Sequence, residues 1–353
     1  MIKKKIFVLC LNTFKHESRV KKEALTLKKN NFQVNIFAYH AKGLKEYEKI
    51  DNLDVTRIKL KFKILPKIFF FQLFKYLEFT YHVCKKIKKY NYLHIHNLTA
   101  LPLAIFLKKF LNKKIKIIYD CHEYETERDG MSFLKKLLFK KIEKLFIKDC
   151  SYIITVSNSI MNEYQKLYNI KNIECIYNAP FYLNYNASNI FREKFKINTD
   201  NKIFLYQGGF SKARGILKYI EVFKQLKNQK CCIVFMGYGS LLKEVKEAAK
   251  NNNNIFYKEA VSLDEIQKYT SSADYGLNIT DNTCLSRYYA MPNKIFEYVM
   301  ARIPIIVSND YERGRFVREN QIGFVVENTE INSIKKNIIL SLDYEKKQFF
   351  YRL

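Results

Sequence analysis

The sequence is poor in residues that interrupt or cross-link a fold. Only 10 Gly and 5 Pro occur in 353 residues, so no long stretch has the composition of a disordered segment or linker. Eight cysteines are scattered without a Cys-x-x-Cys pair, which argues against a disulfide framework or structural metal and indicates a reducing compartment. No uncharged run approaches the roughly 20 residues of a membrane-spanning helix. We therefore expect a soluble or peripheral protein that folds along its whole length.

Acidic residues are also scarce. Against 62 Lys and Arg stand 34 Asp and Glu, for a formal net charge of +28. A field of this sign attracts nucleic acid, anionic lipid head groups or phosphorylated small molecules. Charge alone does not choose among them, and a compositionally biased genome that places Lys at free surface positions gives the same excess.

The length favours two domains of ordinary size. Short apolar segments alternate with amphipathic ones, a pattern typical of a parallel sheet covered by helices. The apolar run 6–11 is too short for a signal peptide and is interpreted as the first strand. In the first half we predict strands at 6–11, 33–38, 93–96, 116–119 and 152–156, and helices at 19–29, 101–110 and 133–148.

The pattern breaks near Asn178-Ala179-Pro180 and resumes after a polar stretch at 196–202, which we interpret as the interdomain junction. Predicted strands follow at 203–207, 231–236, 255–257, 275–279 and 305–307, with helices at 216–226 and 240–250. The predicted domains are 1–185 and 200–342, with a tail at 343–353. Two such units make the cleft between them the default ligand site.

The segment 291–308 contains the most informative motif. Pro292 opens a predicted helix, with Asn293, Lys294 and Glu297 near its N-terminus, and Pro304 ends it before a strand. Free N–H groups at a helix start bind anions, and a carboxylate one turn later can accept hydrogen bonds from sugar hydroxyls. A capped surface helix whose Glu favours the helix dipole is the alternative.

Two further motifs follow predicted strands. Gly208 and Gly209 allow a diphosphate to approach the backbone, and Lys212 or Arg214 can neutralise it. The spacing is not Gly-x-Gly-x-x-Gly, so a dinucleotide site is weakly indicated, and a plain strand-to-helix turn is the alternative. His122, in Asp120-Cys121-His122-Glu123, follows a strand at the edge where ligands bind, although an exposed loop histidine has the same pattern.

These motifs resemble the group 1 family of retaining GT-B glycosyltransferases, whose C-terminal domain carries a Pro-x-Lys-x-x-Glu segment like that at 292–297. The resemblance spans residues 6 to about 342 and is most specific between 290 and 308. It implies that Glu297 binds the ribose hydroxyls of a nucleotide. Many members have a second Glu near the transferred sugar, but Tyr289 stands there, so the residues that recognise the donor sugar are not implied.

The same resemblance gives roles to other residues. It places Arg214 at a Lys-Gly pair of the family, His122 at the reaction centre and Gly237 beneath the nucleotide base. It implies that Arg19, in His16-Glu17-Ser18-Arg19-Val20, contacts acceptor or donor phosphate, although a solvated charge at a helix start is the alternative. The implied catalytic residues are His122, Arg214 and Lys294, and the implied donor-binding residues are Gly208, Gly209, Gly237, Pro292, Asn293 and Glu297.

The expected fold is α/β of the GT-B type, with two Rossmann-like domains facing each other across a cleft. The expected reaction is retaining transfer of a hexosyl group from a nucleoside diphosphate sugar to a glycan or lipid-linked glycan, as in bacterial surface polysaccharide synthesis. Because no Asp-x-Asp occurs, we expect no metal, with basic side chains replacing it. A basic nucleic-acid-binding protein and a sugar-nucleotide epimerase of similar architecture are the alternatives.

The segment 59–89 is apolar, aromatic and flanked by Lys. Such a helix can lie in a membrane interface and follow a lipid-linked acceptor, or it can pack against the first sheet. We expect a cytoplasmic protein at the inner face of the membrane, with no nucleic-acid partner.

Overall fold

The protein is described by a computed structural model that covers residues 4–15, 17–64, 69–182, 187–262 and 264–344, without the side chains of 63–64 and 69–71. The chain forms two compact units, Met1–Ile176 and Tyr177–Leu353. Each unit is an α/β domain built around one sheet.

The described part of the N-terminal unit has eight strands and five α-helices. The strands are β1 (Lys5–Leu9), β2 (Gln33–Tyr39), β3 (Tyr47–Ile50), β4 (Leu53–Ile58), β5 (Tyr92–His96), β6 (Lys116–Cys121), β7 (Tyr152–Thr155) and β8 (Ile173–Cys175). The helices are α1 (Ser18–Lys29), α2 (Phe69–Cys84), α3 (Leu101–Phe110), α4 (Phe133–Phe146) and α5 (Asn158–Tyr168). The strand order is β3-β4-β2-β1-β5-β6-β7-β8, parallel except for the pair β3 and β4.

The C-terminal unit has a fully parallel sheet in the order β11-β10-β9-β12-β13-β14. Its strands are β9 (Lys202–Phe210), β10 (Cys231–Gly239), β11 (Ile255–Lys258), β12 (Tyr275–Asn278), β13 (Ile305–Ser308) and β14 (Gly323–Val326). Its helices are α6 (Ile190–Phe195), α7 (Ile216–Gln225), α8 (Leu242–Asn251), α9 (Ile266–Thr270), α10 (Leu285–Tyr288), α11 (Asn293–Met300), α12 (Tyr311–Asn320) and α13 (Ile331–Leu342). This is the Rossmann strand order, with its switch point between β9 and β12.

Alternation along the strands places the cores on both faces of each sheet. Ile6 and Val8 of β1 pack with Val20 and Ala24 of α1 in one buried cluster. Phe7 points to the other face, where its ring stacks on Phe37 at 3.9 Å. The same logic fills both faces of the C-terminal sheet with buried aromatic and aliphatic side chains.

The prediction that strand-to-helix turns begin at Gly208 and Gly237 is wrong, because the strands continue through both positions. Both glycines lie inside paired strands, with Gly237 opposite Gly208 and Gly239 opposite Phe210. The pairing continues this far because glycine allows a close backbone approach: a Cβ added to Gly237 would lie 2.0 Å from the Gly208 carbonyl oxygen. Strands β3, β4, β8 and β14 were not predicted.

Candidate functional site

The predicted donor-binding residues of the C-terminal unit gather at the carboxyl end of β9, beside the switch point. Tyr298 anchors α11 there, because its hydroxyl lies 3.3 Å from the Gln207 backbone nitrogen and 3.1 Å from the Leu205 carbonyl oxygen. Pro292 precedes the first residue of α11, Asn293, in extended conformation. The N-terminus of α11 is thereby fixed against the end of the strand.

Lys294 is buried beneath the two glycines. Only 8% of the residue is exposed, and its Nζ lies 3.8 Å from the centre of the Tyr206 ring. A Cβ added to Gly208 would lie 3.4 Å from this ammonium. The absent side chain at Gly208 therefore leaves the Lys294 ammonium directly behind the exposed strand end.

Arg214 approaches the same point from the other side. It is exposed, and its Nη1 would lie 3.8 Å from a Cβ added to Gly209. Burial, and then repulsion from Arg214, hold the pKa of Lys294 well below its usual range. Two cations directed at one glycine pair disfavour each other, and an anion bound between them would relieve that repulsion.

Glu297 is held at the same strand end by Gln207. The Gln207 side-chain amide donates a hydrogen bond to Glu297 Oε2 and accepts one of 2.8 Å from the Thr270 hydroxyl. Gln267 donates to the Glu297 backbone oxygen at 3.1 Å. Because Gln207 is buried and bonded through both ends of its amide, the half-buried Glu297 carboxylate is fixed in one orientation.

A second cluster lies in the N-terminal unit, at the carboxyl ends of β5 and β6. Asp120 is fully buried and accepts two hydrogen bonds from the Arg19 guanidinium, at 2.7 and 2.8 Å. Its Oδ2 lies 3.1 Å from His96 Nδ1 and 3.0 Å from His122 Nε2. The Asp120 carboxylate thus joins α1, β5 and the loop after β6, and His122 is its partly exposed partner.

The charges in this cluster are strongly coupled. Burial would raise the pKa of Asp120, but hydrogen bonds from His122, His96 and Arg19 outweigh it and hold the pKa well below its usual range. Burial would lower the pKa of His122, yet the hydrogen bond to Asp120 raises it. For His96, burial outweighs the hydrogen bond to Asp120 and lowers the pKa. His122 is therefore the imidazole of this pair that protonates more readily.

Four side chains of this cluster have the chemistry of metal ligands. One ligand atom from each of Glu23, His94, His96 and Asp120 lies within 4.8 Å of the others. However, Arg19 occupies both oxygens of Asp120 and its Nε lies 3.1 Å from Glu23 Oε1. A cation at this group would face a fixed guanidinium, so the donor set fits an internal ion network better than a metal centre.

The sequence motifs located part of both clusters. Arg19 is only 5% exposed, so the alternative of a solvated helix-start charge is wrong, while His16 lies outside the described residues. Gln207, His94 and His96 were missed as site residues. The last two carried a signal, since histidines two residues apart on an apolar strand point to the same face.

Two family models match the chain. The model "Glycosyl transferases group 1" matches residues 188–349, and "Glycosyltransferase Family 4" matches residues 17–179. No curated protein sequence matches the chain significantly.

Solved structures match almost the whole chain. Sucrose-phosphate synthase from Thermosynechococcus elongatus is 14% identical with a TM-score of 0.77, covering 96% of this chain and 90% of that one. HepE from Anabaena, in complex with UDP and glucose, is 12% identical with a TM-score of 0.72 and the same coverage. A glycosyltransferase from Rickettsia africae is 18% identical with a TM-score of 0.71, covering 99% and 91%. At such identities the likeness concerns the fold.

The sheets and these neighbours define an α/β protein of the GT-B class with two Rossmann-like domains. The chain is a glycosyltransferase, with a family 4 domain in its N-terminal unit and a group 1 domain in its C-terminal unit. Among the residues that the structure describes, no helix has both the length and the apolar character needed to cross a membrane.

Proposed function

We propose that the protein transfers a hexosyl group from a nucleoside diphosphate sugar to a hydroxyl of a glycan or lipid-linked glycan, with retention at the anomeric carbon. The observation that carries the donor class is the buried Lys294 directed, with Arg214, at the Gly208-Gly209 strand end. The HepE structure is a complex with UDP and glucose, which supports a nucleotide-sugar donor here. Bacterial surface polysaccharide synthesis at the inner face of the cytoplasmic membrane is the setting that we propose.

The C-terminal unit supplies the donor site in this proposal. The bond between the anomeric carbon and the diphosphate oxygen breaks, a bond to the acceptor oxygen forms, and the proton of the acceptor hydroxyl passes to the leaving diphosphate. Negative charge grows on the leaving diphosphate, and fixed cations in a dry site stabilise it more than water does. Lys294, Arg214 and the N-terminus of α11 at Pro292 and Asn293 fill that role, so no metal is required.

The remaining predicted residues orient the substrates. Glu297, held by Gln207, accepts hydrogen bonds from the ribose hydroxyls. Gly237 keeps β10 close to β9 beneath the nucleotide. In the N-terminal, acceptor-side unit, His122 presents an imidazole whose pKa is raised by Asp120, and it orients the reacting sugar or acceptor hydroxyl.

Membrane contact through the segment 59–89 belongs to the same proposal. Within α2, Leu73 and Leu77 are 48% and 53% exposed, whereas Phe79 is fully buried. Residues 65–68 lie outside the described residues. The helix therefore uses one face for the core and offers the other to a surface.

The test is thermal stability of the purified protein with UDP, GDP, ADP and CMP sugars, in buffer containing EDTA. A ligand that binds the folded state raises the melting temperature, and we expect one base to do so despite the chelator. Glu297→Ala should remove the shift, whereas Glu247→Ala, an exposed glutamate of α8 in the same unit, should keep it. Stabilisation by single-stranded nucleic acid and by no sugar nucleotide would overturn the proposal.

A further inference from the structure

Helix α4 exposes an apolar stripe. Five large side chains are open to solvent, from 44% to 78% of each residue: Phe133, Leu134, Leu137, Leu138 and Leu145. We call these five residues the α4 stripe. Exposed apolar area of this kind marks a surface that meets another apolar phase.

Polar contacts on the opposite side of α4 explain the exposure. Glu143 is fully buried and accepts hydrogen bonds of 2.7 to 2.8 Å from the hydroxyls of Tyr119, Tyr164 and Tyr168. A buried carboxylate with three donors is costly to move. Glu143 therefore fixes the rotation of the helix, and the α4 stripe is left facing outward.

The neighbouring helix enlarges this surface. Phe106 and Phe110 of α3 are 43% and 72% exposed, with ring centres 5.1 Å apart. Two lysines tie the end of α3 to the turn after α4: Lys108 donates to the Asp149 carbonyl oxygen at 2.6 Å, and Lys109 lies 3.3 Å from its carboxylate. The exposed apolar residues of α3 and α4 thus belong to two helices packed side by side.

The charge of the α4 segment is almost all of one sign. Residues 133–148 contain six lysines and one acidic residue, the buried Glu143. Lys135, Lys141, Lys144 and Lys148 are exposed. Apolar side chains rimmed by lysine are the composition of a helix that lies in a bilayer interface and binds anionic head groups. A second copy of a chain with a net charge of +28 would instead be repelled.

We propose that the α4 stripe and its lysines are the surface by which this protein docks on an anionic lipid bilayer, with α4 lying in the plane of the head groups. This proposal rests on the membrane contact proposed above. It assigns the main contact to α4 instead of the segment 59–89. The apolar side chains enter the acyl boundary, and the lysines bind lipid phosphates.

Vesicle flotation of the full chain tests this docking. Vesicles of phosphatidylcholine and phosphatidylglycerol in equal parts should carry the protein, and vesicles of phosphatidylcholine alone should carry much less. Leu134→Ser/Leu138→Ser should weaken binding to the mixed vesicles by about tenfold or more, because two apolar side chains no longer enter the bilayer. Lys141→Glu/Lys144→Glu should abolish the preference for the anionic lipid.

The matched control is Ile339→Ser/Leu340→Ser, which changes two residues of α13 that are 41% and 45% exposed. It should bind vesicles like the unchanged protein. Equal binding by the α4 variant and this control would overturn the proposal. So would a dimer in size-exclusion chromatography that only the α4 variant disrupts, without vesicle binding. Nucleotide-induced thermal shifts in every variant separate these outcomes from failure of the donor site.

Discussion

Asp120 organises the N-terminal cluster because its carboxylate has more donors than a single ion pair provides. Arg19 neutralises it from α1, and the remaining capacity of Oδ2 is shared by His96 and His122. The last contact gives His122 a charged partner and raises its pKa. The contact with Asp120, and not the residue type alone, therefore determines the direction in which the pKa of this imidazole shifts.

Asp120→Asn should lower the pKa of His122, because a neutral amide no longer favours the imidazolium. A titration of the histidine resonances by NMR measures this. Because its pKa is raised in the folded protein, His122 contributes to folding stability. This contribution is complete at pH values below the unfolded-state pKa of about 6.5 and is lost as the pH rises through the folded-state pKa. Asp120→Asn should remove this pH-dependent loss of stability. An unchanged His122 titration in that variant would contradict Asp120 as the cause of the raised pKa.

Lys294 lies where its own charged form is disfavoured. Its pKa is lowered chiefly by burial and then by Arg214, because both effects oppose a positive charge on this side chain. Residues placed for ligands commonly reduce stability in this way. Glu297 favours the charged form of Lys294, and in the proposed donor site a bound diphosphate would add to that attraction.

At the scale of elements, the proposed donor site depends on how closely β9 and β10 approach. Gly237 faces the Gly208 carbonyl with a φ of +154°, and an added Cβ would lie 2.0 Å from that oxygen. No other residue fits this pairing without separating the strands. The glycines therefore serve the sheet as well as the ligand.

Gly237→Ala should lower the free energy of unfolding by more than about 2 kcal/mol and abolish nucleotide-induced stabilisation, because the strand ends must separate. Gly130→Ala is the control, since Gly130 also has positive φ, +69°, but nothing lies within 4 Å of an added Cβ. It should cost about 1 kcal/mol and leave nucleotide binding intact. Denaturant titrations measure both, and similar losses in the two variants would refute the close-approach argument.

Periodicity alone predicted most elements near the site. Helix α3 was predicted at its observed bounds, and β2 and β10 at the correct start, because their apolar patterns are long and regular. The strand extension through Gly239 was missed, because glycine inside a strand pattern weakens the prediction and was interpreted as a turn. Pairing across strands is not visible in a single segment.

Helix α4 was predicted as an element, but the exposure of its apolar face was not. Leu134 and Leu145 are 76% and 69% exposed. Amphipathic periodicity identifies an apolar face but not what covers it. The decisive constraint is the three tyrosine hydroxyls on Glu143, which come from β6 and α5 and are distant in sequence.

Across the whole molecule, the Lys and Arg side chains behind the net charge of +28 lie in different places. Some are internal, as in the pairing of Arg19 with Asp120. Lys294 and Arg214 lie near the glycine pair, and other lysines flank the α4 stripe. Composition indicated anionic partners in general, whereas the two proposals assign one group of cations to phosphate and another to lipid.

The most direct test of the central claim is calorimetric titration of the whole protein with a nucleoside and with its diphosphate, using the base that the thermal panel selects. Glu297→Ala should weaken both by about tenfold or more, since ribose contacts are common to both ligands. Lys294→Met should weaken only the diphosphate, and should raise the melting temperature of the free protein because an apolar side chain replaces a buried amino group. Equal losses for both ligands in Lys294→Met, or unchanged binding in both variants, would contradict a donor site at the Gly208-Gly209 strand end.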